Sequence, residues 1–476
     1  NGSIATQGDG ARGIYAHSVG GGGGASGGGV AKANAQDLSL GVTVGGNAGS
    51  GGNGGMVSVT NTVDLLTRGS DADGIYAQSV GGGGGSAGKG SSTAGGAQSP
   101  TQAFDSLSST LSNGLGLGQS VTTLADGVFK VGDGALKGIN QLSQLETILP
   151  GGDDAVGVTD ADDDDGEATS IKLNATIGGQ GGAAGSGNTV TVDNSGNLAT
   201  FGARSDGIFA QNLGGGGGVG GASSFSGTDG DVSGSLKVGA SGTGGGNACV
   251  DGSCNVTVTN EASGSIATSG VTANGITAQS VGGGGGKGGV MASANGALKD
   301  LTVTLGGSGG GGGEGGPATV NNYGVITTSG RHAYGILAQS VGGGGGIAHV
   351  LSSDQSTDQT DPDDISLAVT IGGDGGNGGA GGPVTVNVGQ SGNSEVETHG
   401  TDAIGVVAQS IGGGGGLLVT SSADTDDANT AGLSSSTVIP VTIGGTGGTN
   451  GDGGTVSVDL DPTDAYHTTG FVQTYG

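Results

Sequence analysis

Glycine fills 122 of the 476 positions, and the chain carries 41 acidic against 12 basic side chains, a formal charge of −29 with no tryptophan. So few and so scattered cations exclude nucleic acid as a partner and disfavour an anionic membrane surface, and 3% aromatic residues exclude a large core built on rings. No apolar run approaches the ~20 residues of a membrane span. A signal peptide is missing too, but Asn1 falls in mid-repeat, so its absence carries no weight.

One phrase recurs six times. It reads GIYAHSVGGGGG at Gly13–Gly24 and GIYAQSVGGGGG at Gly74–Gly85, then GIFAQNLGGGGG from Gly207, GITAQSVGGGGG from Gly275, GILAQSVGGGGG from Gly335 and GVVAQSIGGGGG from Gly405. The residue after the first glycine stands at 14, 75, 208, 276, 336 and 406, so the repeat is roughly 60–70 residues, with an insertion in the second step.

Within each repeat the five glycines lead into a variable segment, acidic or rich in Ser and Thr. A strand phrase then enters a second glycine tract: LSLGVTVGG from Leu38, IKLNATIGG from Ile171, LTVTLGG from Leu301, ISLAVTIGG from Ile365, VIPVTIGG from Val438. That tract leans to a three-residue period, as in GGDGGNGGAGG from Gly372, which suits either flexible loops or polyglycine II-like extended chains packed side by side; the regularity favours ordered packing. A further strand follows (Val57–Asn61, Val190–Asn194, Val256–Asn260), and a turn phrase returns the chain to the next GIxAQSV strand.

Alternating β-branched residues bounded by Gly, Asn and Asp argue for short strands, and repetition of one unit argues for stacking. The expected fold is all-β: a right-handed parallel β-helix, or β-solenoid, with Gly-rich, polyglycine II-like segments and a small helical insertion. Val190 to Ile208 holds three strand phrases in about 20 residues and suggests one triangular coil, so that a repeat supplies two or three coils. Residues 1–99 and 171–476 are the repeats. Residues 100–170, with Phe104, Leu107, Leu111 and Leu115 at helical spacing, are the partly helical, acidic insertion.

Two polar rows are expected to form ladders along the stack. Gln78, Gln211, Gln279, Gln339 and Gln409 share one position, with His17 in the first copy; Asn61, Asn194, Asn260 and Asn321 recur after the strand that follows the second tract. A row of ligand-contacting glutamines is the functional alternative. Cys249 and Cys254, the only cysteines, frame an Asp-Gly turn and are expected to form a local disulfide in an oxidising compartment. Asp160, Asp162, Asp164, Asp165 and Glu167 pack oxygen ligands densely enough to be the candidate Ca²⁺ site, beside the reading as a solvated acidic loop. Asp361, Asp363 and Asp364, and Asp424, Asp426 and Asp427, form two smaller clusters. No catalytic residue and no other cofactor is expected: the five histidines are scattered, no carboxylate pair recurs at a fixed strand position, and Gly24–Gly28 matches the nucleophile-elbow pattern only as a glycine-rich chain does by chance.

The phrases GIxAQSVGGGGG and VTxGGxGGxGG resemble those of the Gly-rich passenger regions of large Gram-negative autotransporters, over nearly the whole chain except about 100–170. The resemblance implies a non-enzymatic, adhesin-like stalk at the extracellular cell surface, exported through an outer-membrane barrel expected only in the full-length chain. Its partners are then a host or environmental surface and other copies, associating head-to-tail or laterally into filaments. A host- or carbohydrate-binding module using 100–170 is the alternative function, and a β-helical carbohydrate-active enzyme the third.

Overall fold

The computed structural model describes residues 2–32, 38–93, 171–226, 232–250, 254–293, 300–351, 365–389, 394–421, 437–443, 445–460 and 471–474. Among them there are strands and no helix; the segment 100–170, with its expected helices, lies outside the described residues. Every paired strand is parallel to its neighbour, and each sheet takes one strand from each successive repeat. Sheet I holds seven strands, from Ser3–Thr6 and Asp64–Thr67 to Phe471–Thr474. Sheet II holds the six GIxAQSV strands, from Ile14–Val19 to Val406–Ile411. Sheet III runs from Gly29–Lys32 to Met291–Ser293, with a separate pair Ala348–Leu351 and Leu418–Ser421. Sheet IV runs from Leu38–Val44 to Thr437–Ile443, and sheet V from Val57–Asn61 to Val456–Asp459.

The pairing corrects the expected coil count. Ile75 is level with Ile208, Ile208 with Ile276 and Ile276 with Ile336, so a strand finds its partner one whole repeat away. Each repeat is therefore one layer of five strands, not two or three coils. The three strand phrases between Val190 and Ile208 belong to sheets V, I and II of the same layer.

The apolar core lies between these three sheets. Val190 and Val192, Leu198, and Ile208 and Ala210 point inward from one layer, and the same positions recur above and below as Val256, Val258, Ile266, Ile276 and Ala278. Each Val, Leu or Ile so buried contributes about 1.5–3 kcal/mol. A threonine ends each sheet I strand, and in five layers it donates across the following turn to the carbonyl five residues on, as Thr67 does to Ala72, Thr200 to Ser205 and Thr268 to Ala273, while the buried Thr398 hydroxyl has no partner. That turn puts Asp71, Arg204, Thr272, His332 and Asp402 in the left-handed region (φ 53–58°), where the first layer has Gly10.

Between sheets V and I runs the asparagine ladder. Asn61 Nδ2 donates to Asn194 Oδ1 (2.8 Å), Asn194 to Asn260 (2.9 Å) and Asn260 to Asn322 (2.8 Å). The fourth rung is Asn322 rather than Asn321. With side chains alternating across the strand, Asn321 faces the other way and accepts from Asn387 instead (2.8 Å).

From sheets II and IV the chain passes into the glycine tracts, which hydrogen-bond with period three. Gly20, Gly23, Ser26 and Gly29 donate to the next layer, at Val80, Gly83, Ser86 and Lys89. Gly52, Gly49 and Gly46 donate to Gly21, Gly24 and Gly27 of the facing tract, so the two tracts run antiparallel. A Cβ on Gly82 or Gly283 would strike the carbonyl oxygen of Gly21 or Gly215 in the layer before. This part of the layer has backbone where a protein interior has side chains, and the close approach at Gly82 and Gly283 is one that glycine allows; in the third layer Ala240 and Thr243 are seated at inner positions, the Thr243 hydroxyl bonding Gly218 N–H and the Gly182 carbonyl. Beyond it lie sheets III and IV.

Candidate functional site

The outward face of sheet II and its glycine run is the surface that repeats most strictly. On the strands, inward residues are Ile, Ala and Ser, and the outward residues line up in rows along the stack. The first row is Tyr15, Tyr76, Phe209, Thr277, Leu337 and Val407. Tyr15 stacks on Tyr76 at 5.2 Å and Tyr76 on Phe209 at 5.0 Å, with Arg12 lying 4.1 Å over the Tyr76 ring. The second row is the glutamine ladder: Gln78 Nε2 donates to Gln211 Oε1 (2.6 Å), Gln211 to Gln279 (2.8 Å), Gln279 to Gln339 (3.2 Å) and Gln339 to Gln409 (2.9 Å). Each amide spends its partners on the next layer, so the row links layers. His17 opens the row and meets Tyr15 Oη at 3.0 Å. The third row is Val19, Val80, Leu213, Val281, Val341 and Ile411, half-buried in the inner layers and exposed at Val19 and Ile411.

The glycine run continues the face. Every third position points out, and the first of these is Gly22, Gly83, Gly216, Gly284, Gly344 and Gly414. A Cβ at Gly22, Gly216 or Gly414 would meet nothing within 4 Å, and at the other three a single carbonyl oxygen at 3.8–3.9 Å. The next outward row is Ala25, Ser86, Val219, Lys287, Ile347 and Leu417. None of the 41 acidic residues lies in 14–32, 75–93, 208–226, 276–293, 336–351 or 406–421, the stretches that make sheet II, its glycine run and sheet III.

Serine fastens the inner side of the face. Ser280 Oγ accepts from Gly316 N–H (2.8 Å) and Ser340 Oγ from Gly382 N–H (2.7 Å), tying the end of the sheet II strand to the second tract. In the third layer the serine is replaced by Asn212, whose buried amide has no hydrogen-bond partner. The same layer carries the Cys249–Cys254 disulfide, with a Cα–Cα distance of 5.4 Å.

A carboxylate row borders the aromatic one. Arg12 Nε donates to Asp73 (2.9 Å), Asp73 accepts from Asp206 N–H (3.0 Å), and Asp206 accepts from Asn274 N–H (2.7 Å) and Thr277 Oγ1. Burial pushes the Asp206 carboxyl up to about 7 against these hydrogen bonds. Burial also raises Asp73, against its bond to Arg12. On the exposed turn beside them Arg204 holds the Asp71 carboxyl below the usual carboxylate range through a two-pronged pair at 2.8 and 2.7 Å.

The remaining expected site residues fall elsewhere. Asp160, Asp162, Asp164, Asp165 and Glu167 lie outside the described residues, as do the clusters at 361–364 and 424–427. Among the described residues no group of three or more His, Cys, Asp or Glu is placed to hold a metal. The segments 33–37, 94–170, 227–231, 294–299, 352–364 and 422–436 all join a sheet III strand to a sheet IV strand, so the variable sequence is attached to one edge of the stack. Sequence reasoning missed sheet III, because strands such as Gly90–Thr93 are small and polar, and it missed Lys237, which is 1% exposed within sheet IV. Alternation puts Lys237 on the face opposite Leu236 and Val238, and the signal for its burial is the register, which sets it level with the buried Thr43 and Thr176. No protein family, no curated protein and no solved structure matches the chain.

Proposed function

We propose that the chain is a non-enzymatic structural element of a bacterial surface, a right-handed parallel β-solenoid whose glycine tracts pack as polyglycine II-like chains and whose stacked layers form an adhesin stalk or fibre subunit. The observation that carries this reading is the register: six repeats stack level for level, the Asn and Gln ladders donate from layer to layer, and the period-three glycine bonds run both to the next layer and to the facing tract. Such a molecule extends by adding layers, each contacting only its neighbours. The likeness of GIxAQSVGGGGG to autotransporter passenger repeats supports a Gram-negative, extracellular setting. The acidic segments at the sheet III–sheet IV edge are where contact with host or environmental surfaces and weak Ca²⁺ binding belong.

Electron microscopy of the native cell surface tests this. The expected result is thin rods or filaments with an axial spacing of about 4.8 Å in their diffraction, the separation of paired strands. Labelled protein found dispersed in the cytosol, with no such rods, overturns the reading.

A further inference from the structure

The geometry points to lateral pairing of two copies of this chain through the outward face of sheet II and its glycine run. It rests on the stacked-stalk reading and names the surface and the partner.

The argument starts from a control internal to the molecule. The second tract has the same period-three bonding, and its outward positions are Asn47, Gln180, Ser241, Ser308, Asp374 and Thr446 in one row, Ser50, Ala183, Gly244, Gly311, Asn377 and Thr449 in the next, and Asn53, Ser186, Asn247, Glu314, Ala380 and Asp452 in a third. The conformation therefore accepts side chains of many kinds at its outward positions. On the first run the equivalent row is glycine in all six layers, although a Cβ there would stand in open space and no φ there is positive. Nothing inside the chain requires glycine at Gly216 or Gly284. A body lying against the face does.

The surroundings identify that body. The glycine row is a groove about 9 Å from a ridge on either side, three residues at ~3.1 Å each. One ridge is Val19, Val80, Leu213, Val281, Val341 and Ile411; the other includes Val219, Ile347 and Leu417, the last 60% exposed. A twofold axis parallel to the stack sets the Val281 ridge of each copy into the Gly284 groove of the other, a self-complementary contact of the kind that closes dimers. A perpendicular twofold would set groove on groove and leave a void, which close packing disfavours. The rows from Tyr15 to Ala25, six layers high, cover roughly 30 by 30 Å. That is about 900 Å² per copy, against about 800 Å² per partner in a stable interface of standard size.

Charge makes the same choice. A copy with net charge −29 repels its twin, and this face can be buried with no carboxylate taken out of water and Lys287 as the one cation on its outer ridge, whereas sheet I, sheet V and the second tract carry Asp64, Glu314, Asp374, Glu395, Asp452 and Asp459. A glycan is a poorer occupant, because the Tyr15, Tyr76 and Phe209 rings cover one another's faces and turn only edges outward.

The test is sedimentation equilibrium of the full chain, comparing wild type, Gly216→Glu/Gly284→Glu, and Gly244→Glu/Gly311→Glu, whose glycines point outward from the second tract with ordinary van der Waals space. Wild type is expected to dimerise. The groove variant should dimerise at least about a hundredfold more weakly with its thermal unfolding unchanged, and the control should match wild type. A mixture of Val281→Cys and Gly284→Cys chains should cross-link under mild oxidation far faster than either alone. A folded wild type that stays monomeric at about 100 µM overturns the pairing while leaving the stack standing. So does a groove variant that dimerises like wild type, a control that loses dimer equally, binding of a soluble polysaccharide in place of dimerisation, or Val281→Cys cross-linking best to itself. A wild type with no cooperative unfolding would instead sink the stalk reading.

Discussion

Gly283 and Gly284 are neighbours in one run with opposite surroundings. A Cβ on Gly283 strikes the Gly215 carbonyl, while one on Gly284 has only the Gly344 oxygen at 3.9 Å. Gly283→Ala is therefore expected to cost about 1–3 kcal/mol, as other overpacked sites do. Gly284→Ala should be neutral or stabilising by a few tenths through the unfolded chain. Chemical denaturation of the two variants checks the contrast, and equal losses would refute it. Asp206 gives the other prediction at this scale. Its buried carboxyl, pushed up to about 7, binds a proton more tightly folded than unfolded. The stability it supports is complete below the ordinary carboxylate range and is lost as pH rises to about 7. Asp206→Asn keeps its carbonyl oxygen as acceptor for Asn274 N–H, presents an N–H to Thr277 Oγ1 in place of the second oxygen, and cannot ionise. Its thermal midpoint should exceed that of wild type by a margin that grows between about pH 4 and about pH 7 and then levels off, and a constant margin would be the contrary result.

At the scale of an element, the ladders decide how strands are held in register. Asn260 donates to Asn322 and accepts from Asn194 in a buried row, so Asn260→Ala strands a donor and an acceptor. The expected loss is about 2–3 kcal/mol, seen as a lower denaturation midpoint. Asn387→Ala, which removes the half-buried bond to Asn321, should cost about 1 kcal/mol or less. Equal losses would mean that burial of the ladder is not what makes it matter. The left-handed turn between sheets I and II is stabilised in the same way: Asp71, Arg204, Thr272 and His332 each hold a conformation that L-residues avoid, and each donates its N–H to the next layer.

For the whole molecule, the relevant quantity is how much chain one layer consumes. Sixty to seventy residues advance the stack by one strand spacing of about 4.8 Å, so six layers are only about 29 Å tall. The layer is broad and the rise small, which gives each face many parallel rows. The distribution of charge follows the layer plan: acidic side chains are kept off sheet II, its glycine run and sheet III, and the variable acidic segments join sheets III and IV at one edge. Filaments seen by microscopy should therefore be at least two stacks wide if pairing operates, and single stacks where the Gly216→Glu/Gly284→Glu variant replaces wild type.

The sequence by itself determined the β character, the repeat of 60–70 residues and the glutamine row, because β-branched alternation and self-similarity are local signals that survive without coordinates. It also placed Cys249 and Cys254 within reach of each other, since five residues of separation bound the distance. What only the tertiary structure decided is the identity of each partner. That one repeat is one layer, that Asn322 and not Asn321 continues the ladder, and that Gly90–Thr93 is a strand depend on pairing between residues 60 to 133 positions apart. Nor do the letters GGGGG distinguish a glycine needed inside from one that is not. Gly283 and Gly284 differ only in which way a threefold backbone turns them, and that direction is set by the layers above and below.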